Sequence, residues 1–305
     1  MSHEGPRLPP ELERWIFELA VEDNRPLATT FIRVARRVKE WIEPELYRIA
    51  SPLLPLDPIA QKQQQRAGGL HMFYLRAGAA LVKRPHKLPD VRALLLCEDF
   101  PTDAIYSATN LESVALWPAT SDLSRAQSVF FFGLSLRRLA LGLQASLDLL
   151  LSFDDLPLHQ TLTHLALTMP TIMVADIEWA KLSRLSSLTH LAILVSKETL
   201  TAKNIELAFR SMPSLWVLVL ADLSMSLSIS ASEDPVIYPS VSKDLLMRVV
   251  RLPFHLFCAP EAWADDMEGR GPFTYADRIV RARKESVKQG DKEDHSQGAR
   301  PVWST

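Results

Sequence analysis

The sequence predicts an α/β protein: a small helical segment followed by a solenoid in which short strands form one parallel sheet. Three observations predict this fold. A six-residue apolar template recurs through the middle of the chain. Segments with apolar residues at helical spacing lie between the copies. The first fifty residues carry prolines and apolar stripes that indicate two or three short helices.

The recurring template is Leu-x-x-Leu-x-Leu with conservative replacements. Successive copies begin 20 to 27 residues apart, and leucine-rich repeats have periods of about 20–29 residues. The usual Asn or Cys of the turn after the strand is missing, so the copies are degenerate. The six copies are residues 91–96, 111–116, 136–141, 162–167, 188–193 and 215–220.

Each copy is expected to be a strand whose fourth and sixth residues point into the core, because side chains alternate along a strand. One repeat cannot bury its own apolar face, so the strands must stack in sequence order. Segments 176–182 and 202–209 are predicted helices, and 245–252 is a possible seventh strand after a polar loop at 224–232. Four core residues should be buried against one another: Leu139, Leu165, Leu191 and Leu218.

The third and fifth positions of each copy share the other face of the sheet, which is mainly small and apolar. The favoured interpretation is that segment 52–82 or 273–287 of the same chain covers it, since large bare apolar patches are uncommon on monomers. The alternative is an open groove for a partner. The candidate partner surface consists of Arg138, Ala140, His164, Ala166, His190 and Ala192, and Ala115 extends its row of alanines.

The N-terminal segment is expected to be a pair or trio of helices. Residues 8–12 open the first helix with prolines, where a missing N–H does no harm. A polar break at 22–26 leads to a second apolar stripe over 31–42, which is expected to break at Pro44. The stripe of the first helix is Leu12, Trp15, Ile16 and Leu19.

The order of these residues resembles the F-box. Leu-Pro-Pro-Glu-Leu at 8–12 and Ile16-Phe17 match the opening of that motif. Val34 with Arg36 and Arg37 matches the basic helix that follows. The closing residues of the motif are matched by Trp41, Pro44, Leu46 and Tyr47.

The chain is also similar to a group of fungal F-box-like proteins with degenerate leucine-rich repeats. They share the runs Leu-Pro-Pro-Glu-Leu-Glu-Arg, residues 8–14, and Val-Ala-Arg-Arg-Val-Lys-x-Trp-Ile-Glu-Pro, residues 34–44. Their Trp-containing acidic stretch and Phe-led basic helix are matched by 260–263 and 273–278. The resemblance therefore touches the whole chain, with specific motifs only at its two ends.

The resemblance implies a substrate receptor of a cullin-type ubiquitin ligase, which binds an unknown protein substrate. It implies that the adaptor protein of that ligase is bound by Leu8, Pro9, Leu12, Ile16 and Phe17. One alternative is a binding scaffold with a decayed F-box. Another is that the helices only cap the first strand of the solenoid, because repeat arrays need capped ends.

Five regions are expected along the chain. They are an F-box-like helical segment (1–50), a linker or helical cap (51–87), degenerate leucine-rich repeats (88–256), a C-terminal cap helix (257–288) and a disordered tail (289–305). The tail is polar and charged, which is typical of disorder.

Composition argues against several classes of partner. The net charge of −2, from 34 basic and 36 acidic residues, provides no field to attract nucleic acid or a membrane surface. No signal peptide or membrane-spanning run is recognised. The two distant cysteines, Cys97 and Cys258, are typical of a reducing compartment, so the cytoplasm or nucleus is expected.

Motifs for catalysis are also missing from the sequence. There is no phosphate-binding glycine loop, nucleophile elbow or metal-binding histidine spacing. The chain is therefore expected to be no enzyme and to need no cofactor or metal. His164 and His190 occupy equivalent positions in successive copies and could stack. A plain histidine pair is favoured over a metal or acid–base role.

Overall fold

A computed structural model describes residues 8–50, 85–96, 106–116, 133–141, 150, 156–167, 177, 179–195, 201–222, 241–253 and 260–297. The chain divides into two units, Met1–Leu158 and His159–Thr305. Both contain short parallel strands with helices, so the α/β class predicted from the sequence is confirmed. Expectations for segments 52–82 and 224–232 lie outside the described residues.

The first unit begins with short helices: α1 (Pro10–Asp23), a 3-10 turn (Arg25–Leu27), α2 (Ala28–Phe31) and α3 (Arg36–Tyr47). Pro10 stands at the start of α1, where the first backbone N–H groups have no partner within the helix. The three helices pack together through buried apolar residues, namely Val21, Ala28, Val38, Ile42 and Leu46.

The expected break at Pro44 is wrong, because α3 continues through it to Tyr47. A proline within a helix removes one backbone hydrogen bond. Here Ile42, Leu46 and Tyr47 lie buried on either side of it in the sequence. Their burial offsets the lost hydrogen bond, which local sequence rules do not take into account.

The strands of the first unit are β1 (Ile49–Ala50), β2 (Ala93–Leu96), β3 (Ser113–Leu116) and β4 (Arg138–Leu141), with a 3-10 turn (Pro85–Asp90) before β2. They pair in parallel and in sequence order, with equivalent template positions aligned. The first three template copies are therefore strands that begin at their third residue. The two-residue strand β1 was not predicted. It joins the helical segment to the sheet, so residues 8–50 do not form a separate unit.

The second unit continues the pattern. Its strands are β5 (His164–Leu167), β6 (His190–Val195), β7 (Val217–Asp222) and β8 (Val249–Pro253), which pair in parallel and in sequence order. The connecting helices are α4 (Pro157–Thr161), which contains the division between the units, α5 (Trp179–Leu182), α6 (Ala202–Ser211) and α7 (Lys243–Met247).

The predicted core positions are confirmed within each unit. Leu165 lies opposite Leu191, and Leu191 lies opposite Leu218, along neighbouring strands. All three side chains are fully buried, and Leu139 in the first unit is buried as well. The alternation of side chains along a strand thus directs the fourth template residue into the core of each unit.

The seventh strand is shorter than predicted. Residues 243–247 form α7, and the strand begins only at Val249. Leu245, Leu246 and Met247 are unbranched at Cβ and favour a helix, whereas the two β-branched valines that follow favour a strand.

Two helices follow β8 among the described residues, α8 (Pro260–Met267) and α9 (Pro272–Gln297). The helix α9 reaches Gln297, which lies past the end of 288 expected for the cap helix. Extending an existing helix costs far less than starting one. Among the described helices, none is both long and apolar enough to cross a bilayer.

The carboxylate of Asp266 caps the start of α9. Its Oδ1 accepts hydrogen bonds from the backbone N–H groups of Phe273 at 3.0 Å and Thr274 at 3.2 Å. The intervening turn contains Gly269 at a φ of 73°, and Gly271 packs directly against the backbone of Asp266.

Replacing Gly271 by alanine is expected to lower the free energy of unfolding by about 1–3 kcal/mol, because the new Cβ would overlap the backbone N and Cα of Asp266. Chemical denaturation measures the change. Gly269→Ala is the control, since its Cβ meets open space and only the left-handed backbone is strained, which costs about 1 kcal/mol. A smaller loss for Gly271→Ala than for the control would contradict the close packing.

Candidate interaction surfaces

The first candidate surface is a row of exposed apolar side chains on α1. Among the described residues, eight large apolar side chains are exposed, and five of them lie on α1 or just before it. Their exposed fractions run from 44 % for Leu19 to 62 % for Trp15. We call this row the α1 apolar face: Leu8, Leu12, Trp15, Ile16 and Leu19.

Other residues of α1 hold it to the rest of the segment. The ring of Phe17 meets the ring of Phe31 edge to face, with centroids 5.0 Å apart. Arg37 of α3 pairs with the carboxylate of Glu13 at 2.7 Å. Since these contacts fix the helix, the α1 apolar face is not needed for packing within the described part of the first unit.

Unlike α1, the helix α3 is connected to the sheet, because it leads directly into β1, which pairs with β2. Lys87 of the turn before β2 binds Glu43 of α3 at 3.1 Å. The buried Arg25 donates a hydrogen bond to the backbone carbonyl of Glu45 at 2.8 Å. The contact of Lys87 attaches α3 to the turn before β2, whereas Arg25 holds α3 to the 3-10 turn of the helical segment. Through that turn and β1, α3 packs next to the first strands.

The residues that the resemblance assigns to adaptor binding divide into two groups. Leu8, Pro9, Leu12 and Ile16 are exposed, whereas Phe17 is half-buried against Phe31. Three further exposed apolar residues were not assigned to the site: Trp15, Leu19 and Val34. The helical spacing of Trp15 and Leu19 after Leu12 is the signal that places them on the same face.

The second candidate surface is the third-position face of the second unit, which the structure shows to be occupied. His164 and His190 are partners in register on β5 and β6. Their rings stack with centroids 4.1 Å apart and planes inclined by 6°. Phe273 of α9 meets both rings edge to face, at 5.2 and 5.8 Å.

Polar contacts fix α9 on this face. Asp277 Oδ1 lies 3.0 Å from His190 Nε2 and accepts a hydrogen bond from Trp216 Nε1 at 2.9 Å. Lys284 Nζ lies 3.7 Å from the centre of the Trp216 ring, within range of a cation–π interaction. Arg283 donates to the carbonyl of Val249 at 2.8 Å. We call the group His190, Trp216, Asp277 and Lys284 the α9 contact.

The row of alanines is not an open groove in this structure. Ala166 and Ala192 are 6 % and 2 % exposed, and Ala140 in the first unit is buried too. His190 is buried, whereas His164 and Arg138 are half-buried. These burials favour a face covered by the chain itself. In the second unit α9, one of the two segments suggested from the sequence, packs against β7 and β8 and contacts both histidines.

The guanidinium of Arg248 links neighbouring segments of the second unit. Arg248 donates from Nε to the carbonyl of Trp216 at 3.1 Å and lies 4.5 Å from the centre of the Phe209 ring. Burial lowers the pKa of Arg248, and the carboxylate of Asp244 opposes that effect. An arginine keeps its charge under such conditions, so the contact is structural.

Metal-binding geometry is not found in the described ranges, where no group of three or more His, Cys, Asp or Glu side chains could hold an ion. Comparison of the chain with protein-family models, with curated proteins and with solved structures gave no match.

Proposed function

We propose that this chain is a non-catalytic substrate receptor of a cullin-type ubiquitin ligase, with F-box-like helices followed by a degenerate leucine-rich-repeat solenoid. The observation that carries the proposal is the α1 apolar face. Four exposed apolar side chains on one side of a helix that is fixed from its other side, with Leu8 just before that helix, are suited to a protein partner.

The composition of this face supports a protein interface. Trp15 is among the residue types enriched at binding hot spots, and Leu12, Ile16 and Leu19 surround it at helical spacing. An amphipathic helix of this kind binds a partner by laying its apolar side into a groove. The exposed ion pair of Arg14 and Glu18, at 2.7 Å, gives the face a polar border.

In this proposal the chain performs no chemistry. The helical segment binds the adaptor, and the repeats bind a protein that is to be modified. Holding the two together raises the concentration of the substrate near the ligase.

A second candidate function is a scaffold whose helical segment only caps the first strands. The continuation of α3 into β1 and the packing of Phe17 on Phe31 favour this role. The two roles use different surfaces, because α3 faces the strands whereas the α1 apolar face lies exposed. Capping alone gives no reason for that exposure.

The adaptor test uses two double variants on the α1 apolar face and its start. Leu8→Ala with Pro9→Ala, and Leu12→Ala with Ile16→Ala, are each expected to weaken binding of the purified cullin-ligase adaptor by roughly 30-fold or more. Titration calorimetry measures this change. The thermal unfolding transition should stay within a few degrees of that of the unchanged protein, because these side chains are exposed.

Tyr106→Ala is the matched control, since Tyr106 is an exposed aromatic side chain in the same unit but outside the face. It should bind the adaptor like the unchanged protein. If the unchanged protein does not bind, the scaffold is the better function. If it binds and both double variants bind equally well, the assignment to the α1 apolar face is wrong.

A further inference from the structure

The hydrogen atoms around His190 can be assigned from their partners. A carboxylate only accepts, so the 3.0 Å contact with Asp277 requires a hydrogen on His190 Nε2. The other ring nitrogen, Nδ1, lies 2.8 Å from the hydroxyl of Thr189. That hydroxyl also lies 3.0 Å from the carbonyl of Thr163. The single hydroxyl hydrogen of Thr189 can be donated either to Nδ1 of His190 or to the carbonyl of Thr163, but not to both at once.

Two hydrogen-bond patterns follow, one for each charge state of the ring. When His190 is charged, Nδ1–H donates to Thr189, and the hydroxyl donates to the carbonyl of Thr163. When His190 is neutral, the hydroxyl turns and donates to Nδ1. The carbonyl of Thr163 then still accepts hydrogen bonds from the backbone N–H groups of Thr189 and His190, each at 2.9 Å. Both charge states are therefore hydrogen-bonded without moving the ring.

The groups that face His190 set the balance between the two states. The carboxylate of Asp277 on α9 favours the charged ring. Two effects act against the charge: the ring of His190 is buried, and a charged His164 on β5, stacked at 4.1 Å, would repel it. Arg281 and Lys284 of α9 are further cations: Arg281 lies 3.5 Å from Asp277, and Lys284 lies over the ring of Trp216, the residue before β7. The histidine stack lies between two paired strands, whereas the contact of His190 with Asp277 comes from α9. It is therefore the contact between opposite charges that is made when α9 docks.

We infer that α9 is held on the third-position face by a pH-responsive contact, in which protonation of His190 strengthens the docking of the helix through Asp277. The docked form then binds more protons than the undocked form, so docking weakens as pH rises. Histidine changes charge between about pH 5 and 8, the range in which this response is expected. The inference is independent of adaptor binding.

Hydrogen exchange of the full chain tests the inference. Amide protection in 273–287, corrected for the intrinsic effect of pH, should fall about three- to tenfold between pH 5.5 and 8. The amides of α6, in the same unit, report any general loss of stability. Asp277→Asn keeps an acceptor for Trp216 but removes the charge, so its protection should change little with pH. His86→Asn, which removes an exposed histidine of the first unit, should keep the unchanged protein's response.

Ring-nitrogen NMR of the unchanged protein supplies a second measurement that needs no variant. The charge titration of His190 should follow the same curve as the protection of α9. Protection that is flat with pH, a response that persists in Asp277→Asn, or a ring titration that does not coincide with the protection curve would overturn the inference.

Discussion

Replacing Leu165 by alanine should lower the free energy of unfolding by about 2–5 kcal/mol. Leu165 is fully buried and lies opposite Leu191, which is also fully buried. The change removes three carbon atoms from the core and leaves a cavity that the neighbouring strands can close only in part. Because β5 is paired along its length with β6, the backbone has little freedom to collapse into the space.

Denaturant unfolding of the purified chain measures this loss. Leu19→Ala is the control, because it makes the same chemical change at a side chain that is 44 % exposed, and it should alter stability by less than about 0.5 kcal/mol. Equal losses for the two variants would show that the fourth template position does not form the core.

Replacing Ala166 by tryptophan is expected to lower the melting temperature, at a cost of about 1–3 kcal/mol or more. Ala166 is 6 % exposed and lies opposite Ala192 on the third-position side of the sheet. A large ring cannot be placed there unless the elements that cover this face move away. Ala180→Trp, at an exposed position of α5, adds the same ring where there is room and should leave the melting temperature nearly unchanged.

The same variant separates a second core from a recognition surface. A fully stable Ala166→Trp protein that no longer retains a partner would mean that the alanine face opens in solution. The partner surface would then lie on the alanines, and α9 would be a movable cover rather than part of the core.

The strands were predictable because their signal is local. Each template carries leucines at positions that alternate with the strand, and the aligned register of Leu165, Leu191 and Leu218 follows from that spacing. The same spacing rule placed Leu12, Trp15 and Ile16 on one side of α1. It could not show that this side is exposed while Phe17 packs inward, because spacing groups side chains without telling which group is buried.

The features that were missed depend on distant partners. The strand β1 has only two residues, and its pairing with β2 crosses more than forty positions. The helix α3 continues through Pro44 with buried residues on either side of it, and the turn at 85–90, far along the chain, packs against this helix. The contact of His190 with Asp277 joins residues 87 positions apart. No local pattern encodes such contacts, since each depends on a segment far away in the sequence.

The late position of α9 has a consequence for synthesis of the chain. Trp216 and the histidine pair emerge from the ribosome before the helix that covers them. At about 5–20 residues per second, the 87 residues between His190 and Asp277 take roughly 4–17 s to make. During that interval the nascent second unit displays an apolar strand face and an unpaired indole, which are features that chaperones bind. Synthesis of α9 thus determines when this apolar face of the second unit becomes covered.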